Sequence, residues 1–134
     1  MAARAKEPEW LTRVVIDAIH TDQIREHGGL FGLRDETGLE AALARPRHQW
    51  LYGRVKDLAS LAAAYAFGVT QNHPYSDGNK RVALLAMLTF LAINGRDIEA
   101  KDEEVLSTMV ALAAGRLGER QLAKWLRSCI VEIK

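Results

Sequence analysis

The sequence lacks the features that mark several large protein classes. A single cysteine, Cys129, excludes an internal disulfide. No long apolar run stands near the N-terminus, so neither a signal peptide nor a membrane span is read there, and a cytoplasmic location is expected. Neither sign of charge dominates, since 18 basic residues face 17 acidic ones for a net charge of +1. That balance argues against a broad nucleic-acid footprint or an anionic-membrane surface; direct DNA or membrane binding is not expected, and any basic site must be local. Internal repeats, low-complexity tracts and heptads are also missing, which sets aside solenoids and coiled coils. A chain of 134 residues with none of these reads as one domain, burying roughly two-thirds of its unfolded surface unaided.

What is present is mostly helical periodicity. Residues 1–9, charged and interrupted by Pro8, read as a flexible leader, and residues 10–134 as a single domain. Leu11, Val14, Val15, Ala18 and Ile19 recur at helical spacing, predicting an amphipathic helix over residues 10–27 that Gly28 and Gly29 stop. His20, Ile24 and His27 lie on a neighbouring stripe. No cysteine or carboxylate cluster accompanies the two histidines, so they read as surface or capping residues rather than metal ligands. Residues 30–36, with Gly32, form a connecting loop. Thr37 and Glu40 have capping-box spacing ahead of a short helical face, Leu39, Ala42 and Leu43, that Pro46 closes.

Residues 47–56 alternate polar and apolar through His48, Trp50, Tyr52 and Arg54. The pattern predicts a small hairpin flap whose edge would hold an extended substrate segment if it stood beside a site. Residues 57–71 and 82–93 are apolar on nearly all sides and read as two buried helices. Two amphipathic helices follow. One carries Val105, Met109 and Leu112 behind an acidic start at Asp102, Glu103 and Glu104; the other carries Leu122, Trp125, Leu126, Cys129, Ile130 and Ile133. The fold expected is all-α, a compact bundle of about six helices with one β-hairpin flap.

Between the two buried helices runs His73-Pro74-Tyr75-Ser76-Asp77-Gly78-Asn79-Lys80-Arg81. His73 is the side chain here that takes a proton near neutral pH, the natural base for a hydroxyl nucleophile. Asp77 is a hard oxygen ligand of the kind Mg²⁺ takes when substrate phosphates also hold it. Gly78 and Asn79 can turn successive N–H groups inward at the start of a helix, forming an anion nest. Lys80 and Arg81 add a point charge and a planar fork for phosphate oxygens. Taken singly, each residue also fits turn punctuation or a solvated surface. The combination, in a polar loop with no packing role between apolar helices, points to phosphate handling.

These nine residues resemble the active-site signature of the Fic/Doc superfamily, H-P-F-x-D/E-G-N-G/K-R, with Tyr75 in place of phenylalanine. Lys80 resembles the death-on-curing (Doc) branch, the toxins of type II toxin–antitoxin modules. Residues 24–33 with their Gly28-Gly29 pair, residues 41–47, Asn72 and residues 113–127 look like the same branch. The resemblance implies that His73 activates a target hydroxyl, Asp77 holds Mg²⁺, Gly78 and Asn79 contribute to the nest and Arg81 clamps phosphate of ATP. Typical Fic proteins, which transfer AMP, have glycine where Lys80 stands and a second arginine where Leu84 stands. The Doc branch shares both departures and is known as a kinase that transfers the γ-phosphate to elongation factor Tu, arresting translation. The resemblance therefore implies phosphorylation, with adenylylation on the same scaffold and an inactive binding module as rivals. Ser128 and Glu132 have the spacing of an inhibitory Fic helix, but Ile133 follows, so the spacing reads as coincidence. Inhibition is expected in trans, from a small antitoxin similar to Phd.

Overall fold

The computed structural model of the protein describes residues 6–133. Its elements in chain order are α1 (Arg13–His27), α2 (Glu36–Leu51), α3 (Leu58–Asn72), α4 (Asn79–Ile93), β1 (Arg96–Ile98), α5 (Asp102–Ala113), α6 (Glu119–Cys129) and β2 (Ile130–Glu132). Helix α3 is the centre, packed against α2, α4 and α6, with Leu61 and every residue from there to Ala66 sealed from solvent. Its small residues make this possible. A Cβ on Gly68 would stand 3.1 Å from the Cα of Ala42, so α2 and α3 touch backbone to backbone. Asp57 caps the start of α3, its carboxylate accepting the Ser60 N–H at 3.0 Å. The six helices agree with the all-α expectation. Among the described residues, no helix is long and apolar enough to cross a membrane.

Several local expectations are corrected. Helix α2 begins from an Asp35 cap rather than a Thr37 box, and it does not stop at Pro46. Proline forfeits one helical hydrogen bond, but Pro46 and Trp50, one turn apart, are both buried, and Trp50 meets the Trp10 ring edge-on at 6.3 Å. Burial of that stripe carries the helix to Leu51, so no hairpin flap forms over residues 47–56. The strands lie elsewhere: β1 and β2 pair antiparallel, with Ile98 opposite Ile130. The last helix thus ends at Cys129 instead of continuing through Ile133, because β-branched Ile130 and Val131 find an open strand partner after Gly95.

Helix α1 faces the core with a different stripe from the one its periodicity suggested. Ile16, His20 and Ile24 are buried, whereas Val14 is 79% exposed. Residues 1–5 of the expected leader lie outside the described residues. The rest of it is pinned: Pro8 is buried, and Asn94 exchanges hydrogen bonds with the Glu9 backbone at 2.8 and 2.9 Å. Helix α4 starts at Asn79, three residues before its apolar run, placing Lys80 and Arg81 on its first turn.

Candidate active site

The loop between α3 and α4 is folded around two left-handed residues. His73 ends α3 at φ 47°, ψ 53°, and Gly78 opens α4 at φ 82°. A histidine in that region is uncommon and needs outside support. Part of it comes from below. The Tyr75 ring, 2% exposed, stacks on His20 with centroids 3.8 Å apart, and its hydroxyl donates to Asp17 Oδ1 at 2.8 Å. Burial, then the Asp17 carboxylate, push the Tyr75 hydroxyl pKa well up and keep it protonated. Tyrosine in place of the signature phenylalanine therefore gains a polar anchor to α1.

Asn79 staples the loop from within. Its Oδ1 accepts the Tyr75 N–H at 3.0 Å, and its Nδ2 donates to the Tyr75 carbonyl at 2.8 Å while facing His73 Nδ1 at 3.2 Å. The Asn79 side chain is thus committed to loop geometry, while its place on the first turn of α4 leaves its backbone N–H, the group expected in the anion nest, free of a helical acceptor.

The remaining support comes from residues 28–35, which span the glycine stop of α1 and most of the connecting loop expected over residues 30–36. Arg34 donates through Nη2 and Nε to the His73 carbonyl at 2.7 and 3.1 Å. The N–H groups of Arg34 and Asp35 converge on the Pro74 carbonyl at 2.7 and 2.9 Å, and Leu33 bridges to Tyr75. Leu30 N–H donates to Asp77 Oδ2 at 2.7 Å. A Cβ on Gly29, at φ 115°, would press on Asp77 Cβ at 3.2 Å, so this close approach requires glycine. The signal available in sequence was the density of glycines, Gly28, Gly29 and Gly32, all at positive φ. Leu30 and Phe31 stand out from this wall, 68% and 60% exposed.

All six predicted residues, His73, Asp77, Gly78, Asn79, Lys80 and Arg81, line one open pocket of about 360 Å³, joined by Thr70 and by Ala113 from the end of α5. Arg81 Nη2 reaches the Gly28 carbonyl at 3.5 Å, but its Nε is buried without a partner among the described residues. An orphaned cationic donor beside a helix start is what an anion would satisfy. Among the described residues no three His, Cys, Asp or Glu side chains gather. Asp77 is the single carboxylate among the residues that line the pocket, which fits a Mg²⁺ held jointly with phosphates and water rather than a protein cage. One turn beyond Arg81, Leu84 lines an apolar groove with Leu88 and Ile98, so no second cation faces the pocket from that position. Glu132 lies in β2 beside Arg96 at 3.8 Å and is not among the residues that line the pocket.

A family model for the Fic/DOC family matches residues 10–91, which carry α1 through most of α4 and the whole motif. The chain belongs to the Fic/DOC family. It is 32% identical to Protein kinase doc of Escherichia phage P1 over 110 residues, covering 82% of this chain and 86% of the relative. It is 43% identical to Toxin Doc of Mycolicibacterium smegmatis over 75 residues, covering 54% of this chain and 57% of that protein. The Fic/DOC match ends before α5, so the wall that Ala113 supplies lies outside it.

Proposed function

We propose that this Fic/DOC protein is a Doc-type toxin kinase that transfers the γ-phosphate of ATP to a serine or threonine hydroxyl of a translation factor, with elongation factor Tu the first candidate, and so arrests translation. Lys80 is the observation that carries the reading. It lines the pocket on the first turn of α4, beside Arg81 and above no second arginine, since Leu84 faces an apolar groove. An ammonium group there fills room that a phosphate would take beside glycine and supplies charge where a different phosphate reacts.

His73 takes the proton of the target hydroxyl, whose oxygen bonds to the γ-phosphorus as the bond to the bridging oxygen of ADP breaks. Arg81 and the N–H groups of the first turn of α4 hold the phosphates, Lys80 neutralises charge on the group in transfer, and Asp77 would hold Mg²⁺. When bound, that ion supplies charge neutralisation across the nucleotide phosphates. The exposed Leu30 and Phe31 lie on the segment whose Leu30 N–H holds Asp77 and whose Arg34 holds the His73 carbonyl, which supports a protein target rather than a small molecule. Inhibition comes in trans from a Phd-like antitoxin.

Incubating the protein with elongation factor Tu and ATP labelled at the α- or the γ-phosphate tests the reading. Label entering the target from the γ position alone supports the kinase, and label from the α position overturns it for the adenylyltransferase. A His73→Ala protein that still arrests growth would favour a binding module.

A further inference from the structure

We propose that His20 is a positioning residue of this site: by donating from Nε2 to the Asp77 carbonyl, it turns the Gly78 N–H into the anion pocket. The inference rests on the reading of that pocket as a phosphate site. His20 lies on the buried face of α1, 5% exposed, and its Nε2 stands 3.0 Å from the Asp77 carbonyl oxygen. A carbonyl only accepts, so Nε2 carries a proton. The ring packs flat on Tyr75 at an 8° interplanar angle, which fixes its direction, and a Cβ on Gly78 would lie 3.8 Å from His20 Cδ2. The imidazole is therefore directly beneath the Asp77–Gly78 peptide. No peptide bond among the described residues is cis. In a planar trans peptide the C=O and N–H point in opposite directions. Drawing the Asp77 carbonyl down to His20 thus sends the Gly78 N–H away from α1, and Gly78 lines the pocket. That N–H has no backbone acceptor among the described residues.

The same bond removes a repulsion. A free carbonyl beside the helix start would oppose an anion, and the neighbouring carbonyls are likewise turned aside, His73 by Arg34 and Tyr75 by Asn79. His20 performs this task at the position adjoining Gly78, where α4 begins.

The test compares the wild type with His20→Phe, which keeps a flat ring on Tyr75 without the donor, and His20→Gln, which restores a donor. Titration with ATP should give a Kd about tenfold weaker for His20→Phe, the loss of one hydrogen bond, with KM raised more than kcat is lowered. His20→Gln should recover most of the affinity. The Gly78 amide should shift on ATP addition in the wild type and much less in His20→Phe. A folded His20→Phe protein with wild-type Kd and an undiminished Gly78 shift overturns the proposal. If His20→Phe does not fold, the His20 tautomer in the wild type decides: an Nε2–H ring supports the proposal and an Nδ1–H ring overturns it. Failure of the wild type to bind ATP would instead overturn the phosphate reading beneath it.

Discussion

Asn79 Nδ2 faces His73 Nδ1 at 3.2 Å, and the two bonds Asn79 makes to the Tyr75 backbone leave the amide no freedom to flip. An amide nitrogen only donates, so the neutral His73 ring rests with Nδ1 as acceptor and its proton on Nε2. In the proposed reaction, taking a substrate proton at Nε2 requires the ring to move its own proton to Nδ1 and give up the Asn79 contact, which would tie the proposed base to the loop. Nitrogen NMR of the resting protein should report the Nε2–H tautomer for His73.

Asn79→Ala removes every one of those bonds at a buried position. The expected loss is about 1–3 kcal/mol of stability for the Tyr75 groups left unpaired. Transfer activity should fall by at least ~10²-fold at temperatures where the variant remains folded, since misplacement of a catalytic group by an ångström costs that much. Denaturant unfolding and turnover on the same preparation check both halves.

Lys80→Ala should separate chemistry from folding. The side chain is exposed, and surface substitutions of this kind stay within about ±0.5 kcal/mol. Loss of the charge that the proposed kinase mechanism aims at the transferring phosphate should lower kcat for γ-phosphate transfer by ~10²–10³-fold, and ATP affinity less. A kcat unchanged beside wild-type stability would remove Lys80 from the mechanism.

The sequence made the motif legible because its chemistry is local: nine consecutive residues supply every predicted group, and the pocket gathers all of them. The buried helices α3 and α4 were legible for a similar reason, being apolar on all sides and needing no choice of face. Faces were harder. On α1 an apolar set at positions 11 to 19 outscored the true stripe because the middle of that stripe is His20, a polar residue whose burial depends on a carbonyl 57 positions away. Pro46 misled in the same manner, since the burial that carries α2 past it belongs to a long-range contact between Trp50 and Trp10. The wall at residues 28–35 had no periodicity at all, only glycines whose purpose appears once Asp77 stands against them.

The two buried tyrosines set the alkaline limit of the fold. Burial pushes Tyr65 up to about 12, with the Leu11 N–H donating to its hydroxyl at 3.0 Å, and Tyr75 is raised further. Both folded values exceed the ordinary one, so the unfolded chain loses these protons first. Their contribution is intact below about pH 10 and is lost as pH rises from there through 12, at a slope of about 1.4 kcal/mol per pH unit for each tyrosine. Denaturant midpoints measured between about pH 9 and 12 should fall along that course. Tyr75→Phe should lower stability at neutral pH, where the Asp17 bond is lost, and flatten the alkaline decline.

Two glycines at positive φ distinguish backbone strain from damage to the site. Gly95, at φ 78° between α4 and β1, has open space where a Cβ would sit, whereas a Cβ on Gly29, at φ 115°, would meet Asp77 Cβ and Ile24 Cδ1, both at 3.2 Å. Alanine at either position is strained, and each variant should lose about 1–3 kcal/mol of stability. Their functions should diverge. Gly95→Ala leaves the pocket intact and should turn over like the wild type below its lowered melting temperature. Gly29→Ala forces the wall off the motif, breaks the Leu30 N–H bond to Asp77 and should reduce kcat/KM by ~10²-fold for a displacement of about an ångström. Equal activity in the two variants would show that the wall does not hold Asp77 in its working position.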